Sequence, residues 1–572
     1  MLGDRPYRTV RLEGGGRTGP CVDALSSRPP KKAGWTGDGH LVRTPHPPQR
    51  IPTEAIVTSR PGTDGGEALI SEFLRTGREM IAAQRDVLLG YLGAGPGVRP
   101  PAPVAPPEPD LALEADSIER AEESGAVVAP PKRYLMREFD LADAVPVDEE
   151  LAGLRFAVVG EGQVAEMLTA RLAGYGAETE LVQAVPRHGA DGVFHLSPSF
   201  PDDFALYQAV LAGGPRWLIA NGPADGARGF FRTVAKEYPD TVARVVEQHP
   251  ESTVDEQVET LLAELSAGDW EPVVVRRDGA RRGLRLTEEG LGSTGAAGDG
   301  TAEAEALGLD ADSVVLLVGG ANGITARLAT TLASASRCHL ELFGRTAVPI
   351  DGEEPVIATA TTTEDLRAAL IGSGLTEPAE IERTLRLIEA EREARGTLRR
   401  IGDLGSPVRY HSVDVLDAEA VHRAVKEIHA GHGRLDGIVY AAGVVEDELI
   451  AEKDPASFDR VFAAKVEGAS TLLAAVGELP EPPKFAVLFG SVAAALGTRG
   501  QADYAAANDA LEALGHRWST VYGRRGLTVH WGPWAATGRR GIDPGEGTLS
   551  LLRELAWGDK GLTAVTYTAS GW

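Results

Sequence analysis

"SVVLLVGGANGITARLATTLA", Ser313 to Ala333, joins an apolar, β-branched run to a glycine-rich turn and then to a helix-forming segment. Strand, turn and helix in that order open an α/β unit. Glycines in such a turn let backbone N–H groups approach a diphosphate, and the helix start presents the positive end of its dipole. Gly319, Gly320, Asn322, Gly323 and Ile324 are therefore a candidate nucleotide loop. A glycine turn alone is not specific, because any strand-to-helix crossover can use one.

A rival lies upstream. Val158 to Ala165, "VVGEGQVA", follows the apolar pair Phe156-Ala157 and has the form G-x-G-x-x-A. The residues that follow each loop separate the two. After Gly160 the next run, "ETELVQAV", ends on Gln183 and Ala184 without an acidic residue for a ribose, and Arg187 is the nearby cation. After Gly323, "HLELFGR" ends in Gly344 and Arg345, a guanidinium suited to the 2′-phosphate of NADPH. "YHSVDV" then leads to Asp414 and Val415, with the Asp414 carboxylate placed to accept from an adenine amino group. "LDGIVYAAG" ends in Ala441, Ala442 and Gly443, small residues that let a cofactor lie against the backbone. The second loop is thus the expected NADPH site and the first is expected to be structural.

The rest of the chain fits a multidomain α/β protein. Its 572 residues exceed one ordinary domain, and the 43% hydrophobic fraction can fill real cores. No run approaches the roughly 20 apolar residues of a membrane span, and the opening "MLGDRPYRTVRLEGGG" lacks a secretory apolar stretch. Cys21 and Cys338 are far apart, which suits a reducing cytoplasm and gives no cysteine metal cluster. With 57 basic against 83 acidic residues the net charge is −26, unfavourable for nucleic acid and anionic membranes. Residues 1–60 are read as irregular, 61–93 as an amphipathic helix carrying Ile70, Phe73, Leu74, Ile81, Leu88 and Tyr91, and 94–150 as a proline-rich linker. Two successive α/β series follow, 151–300 and 301–572, giving two Rossmann-like subdomains.

The chemistry is expected from "FGSVAAALGTRGQADYAAAND", Phe489 to Asp509. Ser491 ends a strand, Tyr504 follows 13 residues later on a helix, and Asn508 lies one turn further on the same face. A carbonyl receiving hydride needs a proton, which Tyr504 can supply, and a hydrogen bond to its oxygen, which Ser491 can supply. Lys465, in "FAAKVEGA", is the candidate cation for the tyrosine.

The spacing S-x12-Y-x3-N with an upstream lysine resembles the short-chain dehydrogenase/reductase superfamily, and more closely the ketoreductase domains of modular and iterative polyketide synthases. "GQADYAAANDALEAL" and "VHWGPW", which contains Pro533, are similar to that family. The resemblance implies NADPH as cofactor and a β-ketoacyl thioester on the phosphopantetheine arm of an acyl carrier protein as substrate, within a set of synthase subunits. It also implies a truncated structural subdomain ahead of the catalytic one, with Pro533 among the cofactor contacts. The segment inserted after the second catalytic strand, "TTEDLRAAL" onward, resembles the version in polyunsaturated-fatty-acid synthases, and the 61–93 helix resembles the segment after acyltransferase domains. Thr325, Tyr440 and Gly490 depart from the family's usual glycine, histidine and serine. Family members making the D-configured alcohol carry L-D-D after the fourth strand, and those making the L product carry a tryptophan eight residues before the tyrosine. Here Val445-Glu446-Asp447 and Leu496 occupy those places, which implies the D product. A noncatalytic scaffold and a free-standing reductase of small ketones are the alternative expectations.

Overall fold

Short apolar runs, many of them followed by a helical segment, build a 15-stranded main sheet in the computed structural model, and Val128–Ala129 pairs with Gly541–Ile542 in a separate two-stranded one. Residues 128–144, 151–184, 186, 189–292, 298–346, 355–535 and 541–569 are described. The irregular region 1–60, the helix at 61–93, most of the proline-rich linker and Arg187 lie outside them. In chain order the strands of the main sheet are β1 Lys132–Asp140, β2 Arg155–Val159, β3 Glu178–Val182, β4 Gly192–His195, β5 Trp217–Gly222, β6 Val242–Glu247, β7 Val273–Arg277, β8 Ala280–Glu288, β9 Val314–Val318, β10 His339–Gly344, β11 Val408–Ser412, β12 Gly437–Tyr440, β13 Phe485–Ser491, β14 Arg525–Trp531 and β15 Ala564–Thr568. The 15 strands lie in the order β11-β10-β9-β12-β13-β14-β15-β1-β8-β7-β6-β5-β4-β2-β3.

The order contains the same plan twice. From β9 to β15 the strands are all parallel, and the order reverses between β9 and β12, the place where open α/β sheets form a crevice at their carboxyl ends. From β2 to β7 the strands repeat this parallel winding but lack a strand beyond β3, so the first half is a truncated copy.

β1 joins the two halves, antiparallel to β15 on one side and to β8 on the other. The linker expected over 94–150 therefore ends sooner: "KRYLMREFD" is the central seam of the sheet. Its alternation is disguised because Arg133 sits buried among the apolar Tyr134 and Leu135, its charge met by Glu554 at 2.6 Å.

Four helices position the site: α1 Ala227–Glu237, α2 Gly323–Ser336, α3 Pro378–Asp403 and α4 Ala502–Tyr522. α3 belongs to the insertion between β10 and β11. Its Ile381, Leu385 and Ile388 form a small core with Leu366 and Leu370, whereas Ile401 joins the main core under β9 and β10. A further core spans both halves, with Phe204, Tyr207 and Phe230 packing against Phe458, Phe462 and Ala506. Phe204 and Phe458 stack at 4.3 Å between centroids. No helix among the described residues is long and apolar enough to cross a membrane.

Candidate functional site

The loop after β9 adopts conformations that side chains resist. Gly319 has φ +82° and Gly323 φ +60°, both in the left-handed region that favours glycine. The Gly319 N–H donates to the Phe343 carbonyl at 2.7 Å, and a Cβ on Gly319 would lie 3.6 Å from the Ala441 carbonyl carbon. A Cβ on Gly320 would come within 2.9 Å of Leu317. Asn322 precedes α2 with its side-chain oxygen buried and without a hydrogen-bond partner. Ile324 is half-buried in the first turn of α2.

Strand ends bring the other expected residues to the same edge of the sheet. Arg345 is exposed directly after β10. Asp414 is exposed two residues past β11, accepting from the Leu416 N–H at 3.0 Å, and Val415 beside it is buried. Ala441, Ala442 and Gly443 follow β12, and Pro533 is exposed two residues past β14, its carbonyl taking the Ile542 N–H at 2.9 Å. These residues fit a dinucleotide: a glycine cradle at a helix start, small residues beside it, an orphaned Asn322 oxygen and a guanidinium at the next strand tip.

The upstream loop also turns on glycines, and Gly162, at φ +86°, faces open space. Gly160, at φ +146°, leaves only 3.0 Å between a Cβ and Leu196, and Glu161 places a carboxylate in the turn, in contact with Gln183. A carboxylate opposes a diphosphate at either loop, and the one after β9 has its own, Glu393 accepting from the Gly323 N–H at 2.7 Å, so what separates the two loops is the residues at the strand tips that follow them.

The four expected catalytic residues are tied together through three elements. Ser491 ends β13 and its hydroxyl accepts from the Ala493 N–H at 3.2 Å, capping the short helix Val492–Leu496. Tyr504 lies in the first turn of α4. Asn508 follows one turn later, its amide nitrogen donating to the Tyr504 carbonyl at 2.7 Å and its oxygen buried without a partner. Lys465 is 5% exposed, its ammonium donating to the Phe489 carbonyl at 2.9 Å and standing 5.6 Å from the centroid of the Tyr504 ring. Phe489 is two residues before Ser491 on β13, so this cation links the serine strand to the tyrosine helix.

Local structure explains how Lys465 reaches there. It sits on a π-helical turn, Ala463–Glu467, and the buried Tyr440 hydroxyl donates to the Ala464 carbonyl in that turn. Burial pushes the Tyr440 phenol well above its ordinary pKa, so it remains a donor. Gly443 admits the lysine: a Cβ there would come within 2.5 Å of the Lys465 Cε. Gly490 has a similar cause, since any side chain would strike the His530 ring.

Of the residues around this group, Lys453, Asp503 and those of α1 escaped the sequence reading, whereas Glu446, Asp447 and Leu496 were named in it. Lys453, fully buried, pairs with Asp503 at 2.8 Å, and the other Asp503 oxygen takes the Tyr504 N–H at 2.7 Å. Burial holds the Asp503 carboxyl up at about 6 despite this pairing. Asp447 accepts twice from Gln501, at 3.0 and 3.1 Å, immediately before α4, and Glu446 is held by Ser457 and Arg460. Leu496 is half-buried at the end of its short helix. From the first half, α1 grips the loop between Ser491 and Tyr504. Arg232 donates to the Ala494 carbonyl at 2.7 Å, Lys236 to the Gly497 carbonyl at 2.9 Å, and Glu237 accepts from Gly500 and Ile450, each at 2.8 Å.

Comparison with known proteins agrees with this fold. Residues 313–536 match the family model described as the KR domain. A polyunsaturated fatty acid synthase polypeptide of Thraustochytrium sp. (strain ATCC 26185 / S-3) is 35% identical over 234 residues, 39% of this chain and 8% of that protein. Polyketide synthase GfsB of Streptomyces halstedii is 28% identical over 392 residues, 63% of this chain and 6% of that protein. The chain thus spans less than a tenth of the length of either relative. Among solved structures, the ketoreductase from the first module of phoslactomycin biosynthesis in Streptomyces sp. HK803 superposes with TM-score 0.57 at 23% identity, covering 78% of this chain and 94% of that one. A C2-type ketoreductase from a modular polyketide synthase gives TM-score 0.56 at 23% identity, over 77% and 95% of the two chains. These likenesses establish the two-part ketoreductase fold.

Proposed function

We propose that the chain, whose residues 313–536 match the KR domain family, reduces a carrier-bound β-ketoacyl thioester to the β-hydroxyacyl thioester with NADPH. The observation that carries this reading is Lys465, buried between the Phe489 carbonyl and the Tyr504 ring. A buried ammonium in that place favours negative charge developing on the phenol oxygen as its proton leaves. Tyr504 protonates the ketone oxygen, Ser491 donates a hydrogen bond to it, and Asn508, locked to the Tyr504 carbonyl, supports the proton relay with Lys465. Gly319, Gly320, Asn322, Gly323 and Ile324 receive the diphosphate, Arg345 the 2′-phosphate, Asp414 and Val415 the adenine, and Ala441, Ala442, Gly443 and Pro533 the remainder of the cofactor. Bound there, the reduced nicotinamide supplies the hydride.

The partner is an acyl carrier protein presenting the substrate on its phosphopantetheine arm, alongside other synthase subunits. Asp447, fixed on Gln501, and the indole-free position Leu496 decide from which side that arm enters, and the reading gives the D-configured alcohol. Both relatives above are synthase components by name, which supports this setting.

Mass spectrometry of a β-ketoacyl carrier protein incubated with the chain and NADPH tests the reading. A mass gain of two hydrogens is expected, with the D alcohol on chiral chromatography. NADPH binding without reduction would favour a scaffold, turnover of free ketones alone a free-standing reductase, and an L product would remove Asp447 and Leu496 from stereocontrol.

A further inference from the structure

We propose that Glu393 is an internal anion that closes the nucleotide loop and sets the chain's affinity for its dinucleotide. The inference rests on reading Gly319 to Ile324 as the diphosphate loop. The Glu393 carboxylate accepts from the Gly323 N–H at 2.7 Å. That N–H belongs to the first turn of α2, one of the four that no helical carbonyl satisfies, and the helix dipole there favours negative charge. A carboxylate and a diphosphate therefore compete for one donor, and their like charges oppose sharing it.

The carboxylate is delivered from a fixed element. Ala394 and Thr397, on either side of the next turn of α3, are buried, and Ile401 further along sits in the main core. Arg392, adjacent to Glu393, donates to the Ile357 and Ala360 carbonyls at 2.7 and 2.8 Å, tying α3 to the rest of the insertion. Gly323 itself, at φ +60°, is held in a conformation that few other residues adopt. Cofactor binding thus requires Glu393 to turn away or α3 to shift, and the observed affinity is the intrinsic one reduced by the fraction of molecules with the loop open. The insertion acquires a role: it carries the competitor.

Glu393→Gln keeps the size and an acceptor oxygen but removes the charge. Titrating the full chain with NADPH by nicotinamide fluorescence, the dissociation constant of Glu393→Gln should fall about tenfold, the scale of one charge-assisted hydrogen bond. KM for NADPH should fall with it while kcat changes little. Hydrogen exchange of the unliganded variant reports whether α2 and α3 remain folded, and in the wild type NADPH should loosen the protection around residues 389–397. Arg345→Ala is measured in both backgrounds. If it weakens NADPH while Glu393→Gln leaves affinity unchanged or weaker, Glu393 is only a structural cap and the inference is overturned. If Arg345→Ala has no effect in either background, the reading of the loop fails and this inference falls with it.

Discussion

Tyr504 and Asn508 sit one turn apart on α4, so deleting the phenol oxygen removes chemistry without removing packing. Tyr504→Phe should lower kcat by about 10²- to 10⁴-fold while NADPH affinity and the melting temperature hold, and near-normal turnover would sink the proposed acid. Arg345 is exposed at its strand tip, and its proposed partner exists on one cofactor only. Arg345→Ala should raise KM for NADPH by about ten- to a hundredfold and KM for NADH little, since a charge-assisted hydrogen bond is worth roughly 1.5–3 kcal/mol. Equal effects on both cofactors would defeat the assignment. Single residues were legible when chemistry and chain spacing coincide: Ser491, Tyr504 and Asn508 lie within 18 residues of sequence, counted from the first to the last. Glu393 and Lys453 were not legible. Their partners Gly323 and Asp503 stand 70 and 50 residues away, and a lone acid or base in a chain with 24% charged residues carries no local signal.

Elements repeat the lesson one level up. α4 was readable from its own stretch, but the surfaces that hold it were not, because they come from the other half of the sheet, more than 260 residues earlier in the chain. Gly229 of α1 lies so close to the Ala505 carbonyl that any Cβ would collide with it, and Gly226 leaves only 2.9 Å to the Ala506 carbonyl. Gly229→Ala should therefore cost about 1–3 kcal/mol by overpacking and lower kcat, through displacement of the turn bearing Tyr504, more than it alters NADPH affinity. An unchanged kcat with lower stability would show that α1 supports folding alone. The Lys453–Asp503 pair makes a second case, since it fixes the start of α4 from inside the core. Lys453→Met strands a buried carboxylate and should cost about 3–5 kcal/mol, whereas adding Asp503→Leu should recover most of that loss in a denaturant melt. β1 shows the converse: buried Arg133 broke the apolar alternation that would have revealed the strand.

At the scale of the molecule, two α/β series were visible in the sequence, but their fusion into one sheet and one shared core was not, because only tertiary pairing creates it. The seam has an electrostatic consequence. Asp509 of α4 is buried against α1, facing Arg228 and Arg232 from that helix and Glu512 one turn along its own, with His530 of β14 beyond, 2.7 Å from Glu512. Burial, reinforced by the Glu512 charge, raises the Asp509 carboxyl to about 7 in spite of the two guanidinium groups. Burial also opposes Glu512, but the His530 hydrogen bond carries it below the usual range, so its contribution to pH dependence falls at more acid pH. The sign for Asp509 follows from proton counting. Between about pH 4, where an unfolded aspartate releases its proton, and about 7, the folded chain holds one proton more, so stability declines as pH rises through this window. Asp509→Asn stays neutral throughout. Its melting temperature should match the wild type most closely near pH 5, gain on it up to about pH 7 and hold that lead at higher pH, while Asp503, present in both proteins, cancels from the difference. Differential scanning calorimetry of both proteins across that range decides the matter: a constant or shrinking difference would mean that the arginines of α1 keep Asp509 charged, and that the seam is a salt-bridged joint instead of a proton-holding one.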